Sequence, residues 1–258
     1  MGSDVTGAVT VADGFWDTYS TYYDSVYRLM PYRKLLWDVF EALELKARMR
    51  ILDAGCGTGN LEHFIAEKSH PTVEIDAVDF SPAMLARARA KCADLEYVRF
   101  AETDLDGRLP FEDATFDRIV SINVLYALKD QVASVRELLR VLKPGGKLVL
   151  ASPKPEFRWR PLAAEHFRRI GNIWGASRKA KAVLSGAVTM STTAAGSFVL
   201  NTLVINRRER RGDYHSMGQP ELKAFFEQRR ADGVGDFSIE PTMADQSLLA
   251  TASKASAA

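Results

Sequence analysis

The segment that most constrains this chain is Ile51-Leu52-Asp53, a β-rich run that breaks into Ala54-Gly55-Cys56-Gly57-Thr58-Gly59 and opens a helix near Asn60. Glycines at alternate positions let the backbone turn sharply and bring a ligand against the main chain with no Cβ in the way. The spacing is Gly-x-Gly-x-Gly, whereas the dinucleotide fingerprint places its last glycine one position later, where Asn60 stands. Around the turn, residues 49 to 152 alternate short β-rich runs with helical patterns, which predicts βαβ units and a parallel sheet. The runs are Arg50 to Asp53, Val73 to Asp79, Glu96 to Phe100, Arg118 to Ile122 and Lys147 to Ala151. Between them, Leu61, Phe64 and Ile65 recur at helical spacing, and Ser81-Pro82 supplies a cap with proline at the first helical position. A further stripe, Val132, Val135, Leu138, Leu139 and Leu142, is stopped by Pro144-Gly145-Gly146, expected to form a turn into the fifth strand.

In open sheets of this kind ligands lie at the carboxyl ends of the strands, and those ends carry suitable groups. Asp79 closes the second strand twenty positions after Gly59, where a carboxylate can accept from both ribose hydroxyls. Asp104 follows the third strand, where it can accept from an exocyclic adenine amine while Leu105 and Phe80 cover the ring faces. The fourth strand ends in Ser121-Ile122-Asn123, again polar at the same edge.

These residues together resemble the class I S-adenosylmethionine-dependent methyltransferases. The likeness rests on Asp53 to Gly59, Val78-Asp79-Phe80-Ser81-Pro82-Ala83-Met84-Leu85, Asp104, Leu109-Pro110-Phe111, Phe116 to Val120 and Val141 to Leu148. It implies an α/β fold: a doubly wound, mostly parallel seven-stranded sheet with the last strand antiparallel, and S-adenosylmethionine as cofactor. By the same likeness Gly55 and Gly57 lie against the methionine portion with Cys56 between them, and Asp53 supports the turn. Asp79 holds the ribose; Asp104, Leu105, Phe80 and Met84 hold the adenine; Asn123 or Ser121 meets the amino acid end. Tyr22-Tyr23-Asp24 resembles the Tyr-Asp pair that precedes the domain in ubiquinone-biosynthesis-like and phospholipid-type members, which implies that Tyr19 or Tyr23 touches the cofactor carboxylate.

Along the chain, residues 1 to 13 read as a flexible tail, although Met1-Gly2-Ser3 also fits a loose N-myristoylation pattern. Residues 14 to 46 read as an aromatic-rich helical cover whose rings could equally be core packing, and residues 47 to 153 as the cofactor core. Residues 154 to 215 are too long for a plain connection and read as a lid; 216 to 253 add a helix and two strands; 254 to 258 form a tail. The chain is nearly neutral at +1, but the 154 to 215 insert is +8 and the remainder −7. Near-neutrality argues against nucleic acid as a partner. The basic insert, with Trp159 and Trp174 among its arginines, suits peripheral contact with an anionic membrane or an acidic substrate, or else is simply solvated. Only Cys56 and Cys92 occur, which fits a reducing, cytoplasmic setting, and no secretory pattern opens the sequence.

The acceptor is less legible. Nucleobase-amine, cytosine-C5 and metal-dependent catechol motifs are all missing, so no metal is expected and a small molecule or lipid-like acceptor methylated on oxygen or nitrogen remains. His215 and His166 are the candidate bases, and Tyr126, after the fourth strand, is a candidate for lining the acceptor pocket. A phospholipid-type N-methyltransferase, a cofactor-binding protein without turnover and a nicotinamide oxidoreductase are the competing readings.

Overall fold

A computed structural model describes Ser20, Asp24, Tyr27 and residues 29–68, 72–173 and 206–256, the side chains of 170–173 excepted. In chain order the elements are α1 (Met30–Leu43), β1 (Arg50–Ala54), α2 (Asn60–Ala66), β2 (Glu74–Asp79), α3 (Pro82–Lys91), β3 (Val98–Glu102), β4 (Phe116–Ile122), α4 (Gln131–Val141), β5 (Leu142–Pro153), α5 (Trp159–Ile173), α6 (Asn206–Arg210), α7 (Gln219–Gln228), β6 (Val234–Thr242) and β7 (Ser247–Lys254). The strands form one seven-stranded sheet ordered β3-β2-β1-β4-β5-β7-β6. β7 runs antiparallel to both neighbours and the other pairings are parallel, as expected. The order reverses between β1 and β4, so the cleft for a ligand opens where these two strands diverge.

Strand alternation feeds two apolar layers. Ile51, Ile75, Val120 and Val149 face α1 and α2, where Leu35, Leu36, Phe64 and Ile65 are fully enclosed or nearly so. Leu52, Val78, Ile119 and Leu148 face the opposite layer, with Leu138, Leu139, Leu222 and Phe226 from α4 and α7. Each such side chain contributes about 1.5–3 kcal/mol of burial. Asp53 shares the parity of Ile51, which turns its carboxyl toward the α2 side of the sheet.

The start of α3 is as the sequence predicts, with the Ser81 hydroxyl accepting from the Met84 amide at 3.2 Å and Pro82 opening the helix. One expectation fails locally. Pro144-Gly145-Gly146 lies inside β5, which pairs with β4 already at Leu142. Gly145, at φ 72, takes up a register shift in place of a turn.

The first helix of the expected insert, α5, packs on α1. His166 is buried, its Nδ1 accepts from the Met30 amide at 3.2 Å, and its Nε2 has no partner among the described residues. Burial pushes its pKa below the ordinary 6.5. The folded state therefore binds fewer protons than the unfolded one, and this contribution to stability is complete above 6.5 and lost as pH falls below it. Denaturant midpoints between about pH 5 and 7 should flatten in His166→Gln; an unchanged slope would assign the acid sensitivity elsewhere.

Much of the insert's described charge is locally matched: Arg168 and Arg169 pair with Glu165, Arg158 with Glu156, and Lys154 with Asp245. Among the described residues no helix is long and apolar enough to cross a membrane.

Candidate cofactor site and methyl-acceptor corner

The glycine turn is held by β2. The Gly55 and Cys56 amides both donate to the Val78 carbonyl, at 2.8 and 2.9 Å, and the Gly57 amide donates to Asp79 Oδ2 at 2.9 Å. Gly55, Gly57 and Gly59 all have positive φ. At Gly55 the requirement is doubled, because at φ +89 an added Cβ would also stand 2.2 Å from Val124 Cγ2. Val124 follows Asn123, itself left-handed at φ 58, a conformation asparagine tolerates better than most residues. The turn and the end of β4 are thus interlocked at the point where the sheet order reverses.

Asp79 sits at the carboxyl end of β2, buried, with its other oxygen accepting from the Ser81 amide at 2.9 Å. Burial raises its pKa, partly offset by the amides of Ser81, Gly57 and Phe80. Beside it Phe80 is 38% exposed although Asp79 and Ser81 are buried, and Met84, on the first turn of α3, is buried. Asp104 is exposed and caps its own turn, Oδ1 accepting from the Asp106 amide at 2.9 Å, with Leu105 half-buried next to it. A carboxylate at the base, an uncovered aromatic face and a second carboxylate at the rim match the ribose and adenine of S-adenosylmethionine in donor and acceptor chemistry. At the other end, no donor with good geometry reaches Asp53 Oδ1, Glu62 Oε1 or Glu62 Oε2, all of them buried. Such acceptors suit the ammonium group of the cofactor's amino acid end.

Ser121 is tied into the sheet, its hydroxyl donating to the Ala54 carbonyl at 2.6 Å, so it joins β4 to β1 beneath the turn. The Cys56 thiol is buried and burial pushes its pKa well up, so it serves as filling in the turn and not as a thiolate. Tyr19 and Tyr23 lie outside the described residues.

Several contributors were not foreseen from the sequence. Lys91, on the last turn of α3, donates to Asp24, to Thr58 Oγ1 at 3.1 Å and to Asn60 Oδ1 at 2.6 Å. Thr58 also donates to Asp24 at 2.6 Å, and Arg87 reaches Ser20 at 3.1 Å. One lysine therefore fastens the N-terminal segment to the glycine turn. Lys91→Met should weaken cofactor binding several-fold and make cleavage near Asp24 about three to ten times faster in limited proteolysis; an unchanged digestion rate would show that the pairing does not hold the segment.

The candidate acceptor groups are partly gathered. The His215 amide donates to the Tyr126 carbonyl at 2.8 Å, and the rings of Tyr126 and Tyr214 meet edge to face at 5.4 Å. Gln131 Nε2 bridges the Leu125 and His215 carbonyls at 2.9 and 2.8 Å. Tyr126 is buried and His215 exposed, so the pair forms a corner after β4 with an imidazole at its solvent edge. His166 is not part of it, being committed to the α1–α5 contact.

The strand order, the glycine turn and the acidic strand ends define a class I S-adenosylmethionine-dependent methyltransferase architecture. A methyltransferase-domain family model matches residues 45–199, and the chain belongs to that family, whose cofactor is S-adenosylmethionine. It is 38% identical to a demethylmenaquinone methyltransferase of Thermus thermophilus, over 57% of this chain and 69% of that protein. It is 32% identical to a demethylmenaquinone methyltransferase of Staphylococcus aureus, over 53% of this chain and 57% of that one. Against the crystal structure of a SAM-dependent methyltransferase from Aquifex aeolicus the TM-score is 0.60 at 16% identity, covering 92% of this chain and 98% of the other.

Proposed function

We propose that this methyltransferase acts on an oxygen or nitrogen of a small-molecule acceptor that enters at the Tyr126–Tyr214–His215 corner. The observation carrying this reading is that Tyr126 stands two residues after Val124, which packs against Gly55, and that the His215 amide donates to the Tyr126 carbonyl to close the corner. The bound cofactor would supply an electrophilic methyl group on a sulfonium, open to in-line displacement. The chain's part is alignment and proton management. The Gly55 to Gly59 turn fixes the methionine end, Asp79 the ribose, and the aromatic pair excludes water on the acceptor side. The His215 imidazole is the group positioned to take a hydroxyl proton as the new bond forms. Changing His215 to Ala should lower turnover about 100-fold for a hydroxyl acceptor while leaving S-adenosylhomocysteine affinity unchanged; full turnover would remove it from the site.

A second reading, methylation of a ring carbon on a quinone-like acceptor, draws support from the names of the Thermus and staphylococcal relatives. Incubation with methyl-labelled cofactor and separated aqueous and lipid extracts distinguishes the two, with the labelled product's bond identified by NMR. Label on oxygen or nitrogen of a water-soluble product supports the first reading. Label on a ring carbon replaces it with the second, and label on a phospholipid amine would favour the phospholipid-type activity and contact of the basic insert with anionic lipid.

A further inference from the structure

Beneath the glycine turn lies a pair of acids that the transfer chemistry does not use. Asp53, near the end of β1 before Gly55, and Glu62, on the first turn of α2, are 2% and 0% exposed, and the two carboxyls act on each other electrostatically. Yet Asp53 Oδ1 and both Glu62 oxygens lack a protein donor of good geometry. Two ionised carboxylates in contact and out of water would be strongly unfavourable, whereas one proton between them satisfies donor and acceptor together. Among the described residues no group of three metal-type ligands converges, so these residues offer no metal site to supply the missing charge.

Resting on the assignment of S-adenosylmethionine as cofactor, we propose that Glu62 is a positioning residue: with Asp53 it forms a one-proton carboxyl pair that gives up this proton when the ammonium group of the cofactor's zwitterionic amino acid end docks over the turn. The charged and titratable groups facing the pair are consistent with that. Asp79 from β2 adds negative charge beside Asp53, and Lys91 from α3 is the cation acting on Glu62. Cys56, Cys92 and Tyr97 also feel Glu62, and burial keeps all three neutral. Burial and mutual repulsion hold the pair's proton in the free protein, Asp53 being raised well above the usual carboxylate range. An arriving cation reverses the balance, so affinity for the cofactor rises with pH until the free pair ionises by itself. The step balances: one proton leaves the pair to solvent, no covalent bond to carbon changes, and the ligand's ammonium group becomes the donor and counter-charge of the ionised pair.

The test is calorimetric titration of the full chain with S-adenosylhomocysteine at neutral pH in buffers of differing ionisation enthalpy. The proposal expects release of a substantial fraction of one proton per ligand bound, and its loss in Glu62→Gln, whose amide donates to ionised Asp53 without titrating. Binding without proton release, or identical release in Glu62→Gln, overturns it. If S-adenosylhomocysteine does not bind at all, the cofactor assignment itself fails. Should the Gln variant not fold, the native chain still decides, because absence of release there is sufficient to reject the pair's role, and Asp53→Asn provides the second comparison.

Discussion

Asp79→Ala is expected to weaken S-adenosylhomocysteine binding by two orders of magnitude or more. Asp79 is buried at the end of β2, next to the glycine turn, and already accepts from the Gly57 and Ser81 amides. Hydrogen bonds to a charged group contribute about 1.5–3 kcal/mol each, and a ribose offers two hydroxyls, so about 3–6 kcal/mol of binding is at stake. The substitution also leaves the two amides without their acceptor, which loosens the glycine turn. Asp79→Asn keeps one acceptor oxygen and should fall between the native chain and the alanine variant. Calorimetric affinities within threefold of one another across the three proteins would show that the ribose is held elsewhere.

The second large effect is on stability. Gly55→Ala places a Cβ 2.2 Å from Val124 Cγ2 on a residue at φ +89. The left-handed conformation costs about 1–2 kcal/mol for an L-residue and overpacking typically about 1–3 kcal/mol. A combined loss of about 2–5 kcal/mol corresponds to a fall in Tm of roughly 5–15 °C for a domain of this size. Because part of the loss is a specific clash, Val124→Ala in the Gly55→Ala background should recover some of it. A double variant no more stable than the single one would assign the whole effect to the backbone.

The sheet was legible in the sequence because its signals are local. Gly55, Gly57 and Gly59 mark the turn, Ser81-Pro82 marks the start of α3, and the short β-rich runs of β1, β2 and β4 mark strands that prove buried on both faces. The third strand was misplaced by two residues, since its extent is set by pairing with β2, up to Asp79 opposite Glu102, and not by its own weakly apolar sequence. Pro144-Gly145-Gly146 misled for a related reason: Leu142 before it and Lys147 after it both pair with β4, so the stretch is a bulge within β5 and not a turn ahead of it. Among the candidate site residues, Asp79 was legible as a strand-end carboxylate, and Asp104 as a carboxylate in the turn that follows β3. Glu62 was not, since a glutamate between Leu61 and Phe64 reads as a solvated helix position, and only the fold turns it inward against Asp53. Lys91 was hidden by distance, 67 residues from the Asp24 it holds. His166 shows the converse: a histidine in a basic insert reads as a candidate base, and the structure commits it to the α1–α5 contact.

The glycine turn and the acidic strand ends should accept S-adenosylmethionine and not a dinucleotide. Parallel titrations of the native chain with S-adenosylhomocysteine and with NAD test it most directly. Saturable one-to-one binding of S-adenosylhomocysteine with no heat from NAD is the predicted result; saturable NAD binding with none of S-adenosylhomocysteine would contradict it.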